Sequence, residues 1–182
     1  EKTMLAGMEK SSEFHEKREA CIRKKYNADE MGQRVLNGDG GSWIKEPYDS
    51  EVIFQLDRYH VYSKITEKIR DKKAQGEIRR LYDEEKPEEM LEYIEIYATS
   101  VESPDEKDKR SKHARELYQY LNNNRSGLLP YDKQGISIPE PQKGIIYKGM
   151  GVQESQNCTV ITLRMKNRRM RWSVNGANNL AK

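Results

Sequence analysis

The chain has 182 residues, of which 35% are hydrophobic and 35% are charged. This length is enough for one ordinary domain with a real core, and the high charged fraction favours long amphipathic helices with solvated faces. The net charge of +3 does not by itself require a polyanionic partner, and no apolar run approaches the length of a membrane span. Cys21 and Cys158 lie far apart, which argues against a disulfide framework or a zinc ribbon and for a reducing compartment.

The first predicted elements are one helix and two short strands. Residues 8–26 have the weak apolar face of a charged helix. Residues 33–38 and 51–56 predict strands, the second because it is a β-branched and aromatic run too short for a helix. Between the strands, Ser42 is expected to cap a short helical turn that ends at Pro47.

A long helical region is predicted from residue 59 to about residue 122, with three apolar stripes at helical spacing. We expect the stripes to bury against one another as a small helical subdomain. They consist of Tyr62, Ile65 and Ile69; of Met90, Ile94, Tyr97 and Val101; and of Ala114, Leu117, Tyr118 and Leu121. Residues 122–144 predict an irregular connection, and a last helix is expected to begin near Val152.

Each predicted strand ends in an aspartate, Asp39 after the first and Asp57 after the second. Ligands and metals collect at the carboxyl ends of parallel strands, and two neighbouring carboxylates suit a hard cation such as Mg²⁺. The alternative is that both residues serve as turn and cap residues, a common role of aspartate. Without a further motif, the pattern favours this alternative.

A basic cluster near the end of the chain predicts a phosphate-binding surface. Each phosphate contact of such a surface adds to the salt dependence of DNA binding. The cluster consists of Arg164, Lys166, Arg168, Arg169 and Arg171.

Three blocks of sequence occur in a fixed order: NGDGGSWIK at residues 37–45, QLDRYH at 55–60, and a third block between residues 149 and 177. The third block contains Glu154 and then RMKNRRMRWS. These blocks resemble those of bacterial insertion-sequence transposases of the ISLre type, long filed as an uncharacterised protein family. Three blocks in the right order make the resemblance specific.

The resemblance implies an α/β protein with an RNase H-like core and a DDE site, akin to the mutator-like transposases. It makes Asp39 the second catalytic aspartate and Glu154 the glutamate, which together hold Mg²⁺ or Mn²⁺, and it makes Asp57 and His60 a D-x-x-H pair. The implied activity is metal-dependent cleavage and joining of DNA strands. The implied protein is a homo-oligomer when full length, binds transposon ends and target DNA, and is cytoplasmic at the nucleoid.

The first aspartate of such a site is expected upstream of Glu1. Two more strands and a helix of an RNase H core do not fit between Asp39 and Asp57, since strands average about 5–6 residues and helices about 11. The chain is then the C-terminal part of a transposase. Its expected parts are a partial core at residues 1–58, a helical insertion at 59–130, and a return to the core at 131–182.

Two other interpretations stay open. In the first, the chain is a non-enzymatic DNA-binding or interaction module, whose basic cluster binds DNA without any need for metal or Asp39. In the second, it is an inactive remnant, which is favoured by Arg169 at a position where the family often has a smaller or uncharged residue. Two of the candidate residues also have structural interpretations. Taken alone, Glu154 is typical of an acidic residue in the first turn of a helix, where it interacts favourably with the helix dipole. His60 is typical of a histidine that is hydrogen-bonded to a neighbouring carboxylate.

Overall fold

A computed structural model of the chain describes residues 5, 7, 9–41, 52–105, 107–136, 140, 141, 143, 144, 146, 173 and 176. The chain divides into two compact units, Glu1–Gly32 together with Gly149–Lys182, and Gln33–Lys148. The first unit contains helix α1, Ser11–Lys25, whose last turn carries three basic residues that favour the negative end of the helix dipole. A 3₁₀ turn, Ala28–Glu30, follows it.

The described residues of the second unit form two strands followed by four helices. The strands are β1, Arg34–Gly38, and β2, Val52–Leu56. The helices are α2, Arg58–Lys68; α3, Lys72–Asp83; α4, Pro87–Ser100; and α5, Arg110–Asn123. Two 3₁₀ turns, Arg125–Gly127 and Tyr131–Lys133, come after α5.

The two strands form a parallel sheet, with Arg34 opposite Val52 and Gly38 opposite Leu56. Within the described residues this sheet has two strands. Both strands lie within one residue of the predicted ranges, so these predictions are confirmed. The fold is therefore a mixture of helices and a small parallel sheet, consistent with the α/β class.

The core of the second unit lies between the four helices and β2. Seven of the eleven residues in the predicted stripes are fully buried, which confirms that the stripes face this core. The other four, Tyr62, Tyr97, Val101 and Tyr118, are half-buried. The buried cluster consists of Leu56, Val61, Ile65, Ile69, Ala74, Ile78, Leu81, Met90, Leu91, Ile94, Ala98, Ala114, Leu117, Leu121 and Leu128. Among the helices described here, none is long and apolar enough to cross a membrane.

The prediction of three helical stripes was incomplete, because α3 forms a fourth. Asp71 is its N-cap, and the Asp71 carboxylate accepts hydrogen bonds from the amides of Lys73 at 2.7 Å and Ala74 at 3.1 Å. Aspartate is among the preferred N-cap residues, so the chain ends α2 and starts a new helix here. The helix buries Ala74, Ile78 and Leu81 at spacings of four and three, a pattern that the many charges of this segment obscure.

The link between α3 and α4 contains Glu85, the one non-glycine residue in the described part of the chain with a positive φ, 60°. The amide of Lys86 donates to the carbonyl of Leu81 over 3.0 Å, and that of Glu85 donates to Tyr82 over 3.1 Å. These two bonds form a Schellman C-cap, in which the left-handed position is usually glycine. Glu85 therefore holds a backbone conformation that is unfavourable for a residue with a Cβ.

Glu85→Gly is expected to raise the free energy of unfolding by about 0.5–1 kcal/mol, because glycine adopts this φ without steric cost. Urea unfolding followed by circular dichroism measures the change. Glu84→Gly is the control, since Glu84 precedes it with a φ of −79° and gains nothing from glycine. This variant also loses exposed ion pairs with Arg80 and Lys86, so it is expected to be slightly less stable than the parent. A loss of stability in both variants would contradict the prediction.

Candidate functional site

The carboxyl ends of β1 and β2 place Asp39 and Asp57 next to each other. Gly38 lies opposite Leu56 in the parallel register, and each of these residues is followed by one of the two aspartates. The amide of Asp57 donates to the carbonyl of Gly38 over 2.8 Å. Since adjacent strands lie about 4.8 Å apart, the two aspartates are neighbours at one edge of the sheet. Both are half-buried.

Asp57 is the N-cap of α2. Its Oδ1 accepts hydrogen bonds from the amides of Tyr59 at 2.9 Å and His60 at 3.4 Å, and its Oδ2 accepts one from Nδ2 of Asn37 at 2.7 Å. The cap role predicted as an alternative is therefore present. A carboxylate has about four acceptor positions, so these three bonds still leave Asp57 able to face a cation.

Asp39 begins a tight turn. Its Oδ1 accepts a hydrogen bond from the amide of Gly41 at 2.9 Å, which is the turn role predicted as an alternative. Between them, Gly40 has a φ of +82°, and a Cβ added there would lie 2.6 Å from Oδ1 of Asn124. Position 40 thus requires glycine both for its backbone conformation and for the close approach of the buried Asn124 side chain.

The C-terminal part of α5 holds the Asp39 turn in place. The Tyr120 hydroxyl donates to the backbone carbonyl of Asp39 over 2.8 Å, and Nδ2 of Asn124 donates to the carbonyl of Tyr120 over 2.8 Å. Burial raises the pKa of the Tyr120 hydroxyl to about 12, and the charges of Asp39 and Asp57 add to the shift. Tyr120 is therefore a protonated donor at neutral pH.

Sequence reasoning missed Tyr120 and Asn124. Their separation of four residues places Tyr120 and the C-cap Asn124 on one side at the end of α5, and that is the only signal that the sequence holds. It does not show that this end of the helix meets the strand ends, because Tyr120 lies 81 residues from Asp39.

The oxygen atoms at the strand ends suit a hard divalent cation. Besides the two carboxylates, Oδ1 of Asn37 is buried and has no hydrogen-bond partner within the described part of the chain. Carboxylate and amide oxygens are typical ligands of such cations. Among the described residues, however, no three His, Cys, Asp or Glu side chains are grouped to hold a metal. The described residues therefore fit part of a metal site, which needs a further carboxylate.

A model of UPF0236, an uncharacterised protein family, matches residues 3–182. The chain belongs to this family. The matched range includes all three sequence blocks, so Asp39, Asp57 and Glu154 lie within the part of the chain that the family model matches. No curated protein and no solved structure matches the chain.

His60 of the UPF0236 protein lies in the first turn of α2, and its ring meets the Tyr59 ring edge-on at a centroid distance of 5.6 Å. The Asp57 carboxylate accepts a hydrogen bond from the backbone amide of His60 rather than from the His60 imidazole. The structure shows no carboxylate on the His60 ring among the residues it describes, so the proposed pairing with a neighbouring carboxylate is not seen there. Tyr59 is 59% exposed, which leaves an aromatic pair accessible beside the strand ends.

The remaining predicted site residues lie outside the described residues. They are Glu154 and the basic cluster of Arg164, Lys166, Arg168, Arg169 and Arg171. The predicted helical turn with Ser42 and the helix near Val152 lie outside them as well. These assignments, and the three predicted parts of the chain, stay predictions.

Proposed function

We propose that this UPF0236 protein is part of a DNA transposase of the ISLre type, with a DDE site on an RNase H-like core. The observation that carries the proposal is the position of Asp39 and Asp57. Each aspartate belongs to a sequence block that resembles the transposases. The two aspartates follow the paired end residues of neighbouring parallel strands. The order of elements supports it too, because four helices follow the strands and precede Glu154, as a helical insertion does in the mutator-like clan.

The reaction we propose is phosphoryl transfer, with water or a 3′-hydroxyl attacking a phosphodiester of DNA. A pair of Mg²⁺ or Mn²⁺ ions, when bound, activates the nucleophile and stabilises the leaving oxygen. Asp39 and Glu154 are the proposed ligands. Tyr120 positions the Asp39 main chain by its hydrogen bond to the carbonyl.

Asp57 and His60 are proposed to contact the DNA near the scissile bond or to orient a catalytic group. Asn37 orients the Asp57 carboxylate through a hydrogen bond of 2.7 Å. The basic cluster of residues 164–171 is the proposed contact for DNA phosphates, and the whole protein is expected to act on paired ends as a homo-oligomer.

The test is metal-dependent nicking by the whole protein that the gene encodes. A supercoiled plasmid carrying the DNA that flanks the gene is expected to be nicked with Mg²⁺ or Mn²⁺ and to stay intact with EDTA, as measured on agarose gels. If the protein binds the same DNA equally well with and without metal, and nicks it with neither ion, the result would instead support the non-enzymatic DNA-binding module or the inactive remnant.

A further inference from the structure

A cavity of about 350 Å³ in the helical part of the second unit is lined mainly by basic side chains. Its size is near the lower end of the range of about 300–1,000 Å³ that is usual for ligand pockets. We call it the basic pocket. Its basic residues are Lys68, Arg70, Lys107, Lys109, Arg110 and His113, and its one acidic residue is Asp108.

The basic pocket is separate from the strand ends. Lys68 is the last residue of α2 and Asp57 is its N-cap, and the helix has 11 residues. At 1.5 Å per residue this length is about 16 Å. Along α5 the order is reversed, since Arg110 at its start lines the pocket while Tyr120 near its end reaches Asp39. The two sites thus lie at opposite ends of the same pair of helices.

Part of the positive charge in the pocket is neutralised by neighbouring acids. Nη2 of Arg110 lies 2.6 Å from Oδ2 of Asp108, and hydrogen bonds from Arg110 lower the pKa of Asp108 to about 2. Nζ of Lys68 lies 2.7 Å from Oε2 of Glu116. Arg110 and Lys68 therefore already have acidic partners within the protein.

The other three lysine and arginine side chains of the lining form no ion pair with the described residues. They are Arg70, Lys107 and Lys109, and all three are exposed. Like charges that converge on one cavity repel each other, so an anion in the cavity would stabilise the arrangement. Tyr97 and His113 supply aromatic rings to a lining whose other side chains are charged.

A phosphate group fits this lining best. Lysine ammonium groups bind phosphate as point charges, and the planar guanidinium of arginine matches its oxygens in a fork. The volume is sufficient for a phosphate with part of its sugar. Lys107 and Lys109 of the lining are exposed, so the cavity can be reached from solvent.

We propose that the basic pocket binds a phosphate of the DNA backbone through residues that belong neither to the aspartate pair nor to the predicted basic cluster. The identity of the polyanion as DNA rests on the proposed function. The pocket itself rests on the convergence of Arg70, Lys107 and Lys109 on one cavity.

The experiment compares two double variants of the full chain by fluorescence anisotropy with a labelled 20-base-pair DNA duplex, in EDTA, between 0.05 and 0.2 M NaCl. Lys107→Gln with Lys109→Gln removes two pocket cations. Lys73→Gln with Lys112→Gln removes two cations, on α3 and α5, that do not line the pocket and form no ion pair with the described residues. All four residues are exposed, and thermal unfolding checks that both variants fold like the parent.

The pocket variant is expected to bind DNA roughly three- to tenfold more weakly at 0.15 M NaCl, and its slope of log affinity against log salt is expected to fall by about one. The control is expected to change by less than half as much. Equal changes in both variants would overturn the pocket, because they would reflect net charge alone.

A calorimetric titration with inorganic phosphate at constant ionic strength distinguishes a DNA contact from a site for a small anion. If the pocket variant loses phosphate binding but keeps the DNA affinity of the parent, the assignment to DNA is wrong. Because EDTA prevents any metal-dependent cleavage, the result is independent of the nicking assay. If the protein does not nick DNA but the two variants differ in DNA binding as expected, the proposed transposase activity is wrong and the proposed phosphate contact in the basic pocket is supported.

Discussion

Asp39→Ala is expected to reduce metal-dependent nicking by the whole protein about 10³-fold or more, which corresponds to roughly 4 kcal/mol of activation free energy. The proposed site holds its metal ions through few carboxylates, and each ion contributes several kcal/mol to the stability of the transition state. The fold should tolerate the change. The one described hydrogen bond of the Asp39 side chain is with the amide of Gly41, and a bond of this kind contributes about 1 kcal/mol.

Two further variants make the Asp39 result interpretable. Asp132→Ala removes an exposed aspartate from the 3₁₀ turn after α5, and this control is expected to nick like the parent. Glu154→Ala is expected to lose as much activity as Asp39→Ala. Parental nicking rates in either the Asp39 or the Glu154 variant, measured on plasmid DNA with Mg²⁺, would show that the catalytic assignment is wrong.

Leu117→Ala is expected to lower the free energy of unfolding by about 3–5 kcal/mol. Leu117 is fully buried on α5, which packs against both α4 and α2. Removing three carbon atoms from such a position loses their transfer free energy and leaves a cavity that the surrounding helices fill only in part. Urea unfolding followed by circular dichroism measures the loss.

Gln119→Ala is the matched control for Leu117, because Gln119 is exposed on the same helix. Its effect on the free energy of unfolding is expected to stay within about 0.5 kcal/mol. If Leu117→Ala costs less than about 1 kcal/mol, α5 does not lie at the centre of the helical core, and its contact with the Asp39 turn loses its support.

Asp57 shows that structural and functional interpretations of one residue are compatible. The sequence alone favoured a cap, and the hydrogen bonds from Tyr59 and His60 confirm that role. The same residue stands beside Asp39 at the strand ends. A cap uses only part of a carboxylate's accepting capacity, so the confirmed cap does not weigh against the proposed role at the site.

Patterns that depend on neighbouring residues were predictable from the sequence. The β-branched run before Asp57 predicted β2, the apolar spacings predicted which sides of three helices are buried, and Asp39 and Asp57 were placed at the strand ends. These features follow from local backbone preferences and from the repeat of a helix or strand. Even there, α3 was missed, because its apolar spacing is diluted by charges and its start depends on the cap at Asp71.

Only the tertiary structure decided what lies next to these elements. It paired β1 with β2 in parallel, brought Tyr120 and Asn124 at the end of α5 to the Asp39 turn, and gathered Lys68, Lys107 and Lys109 around one cavity. Such contacts join residues that are tens of positions apart. They are selected by how the apolar faces of the helices fit together and by which charges that packing leaves at the surface, and no local pattern encodes that choice.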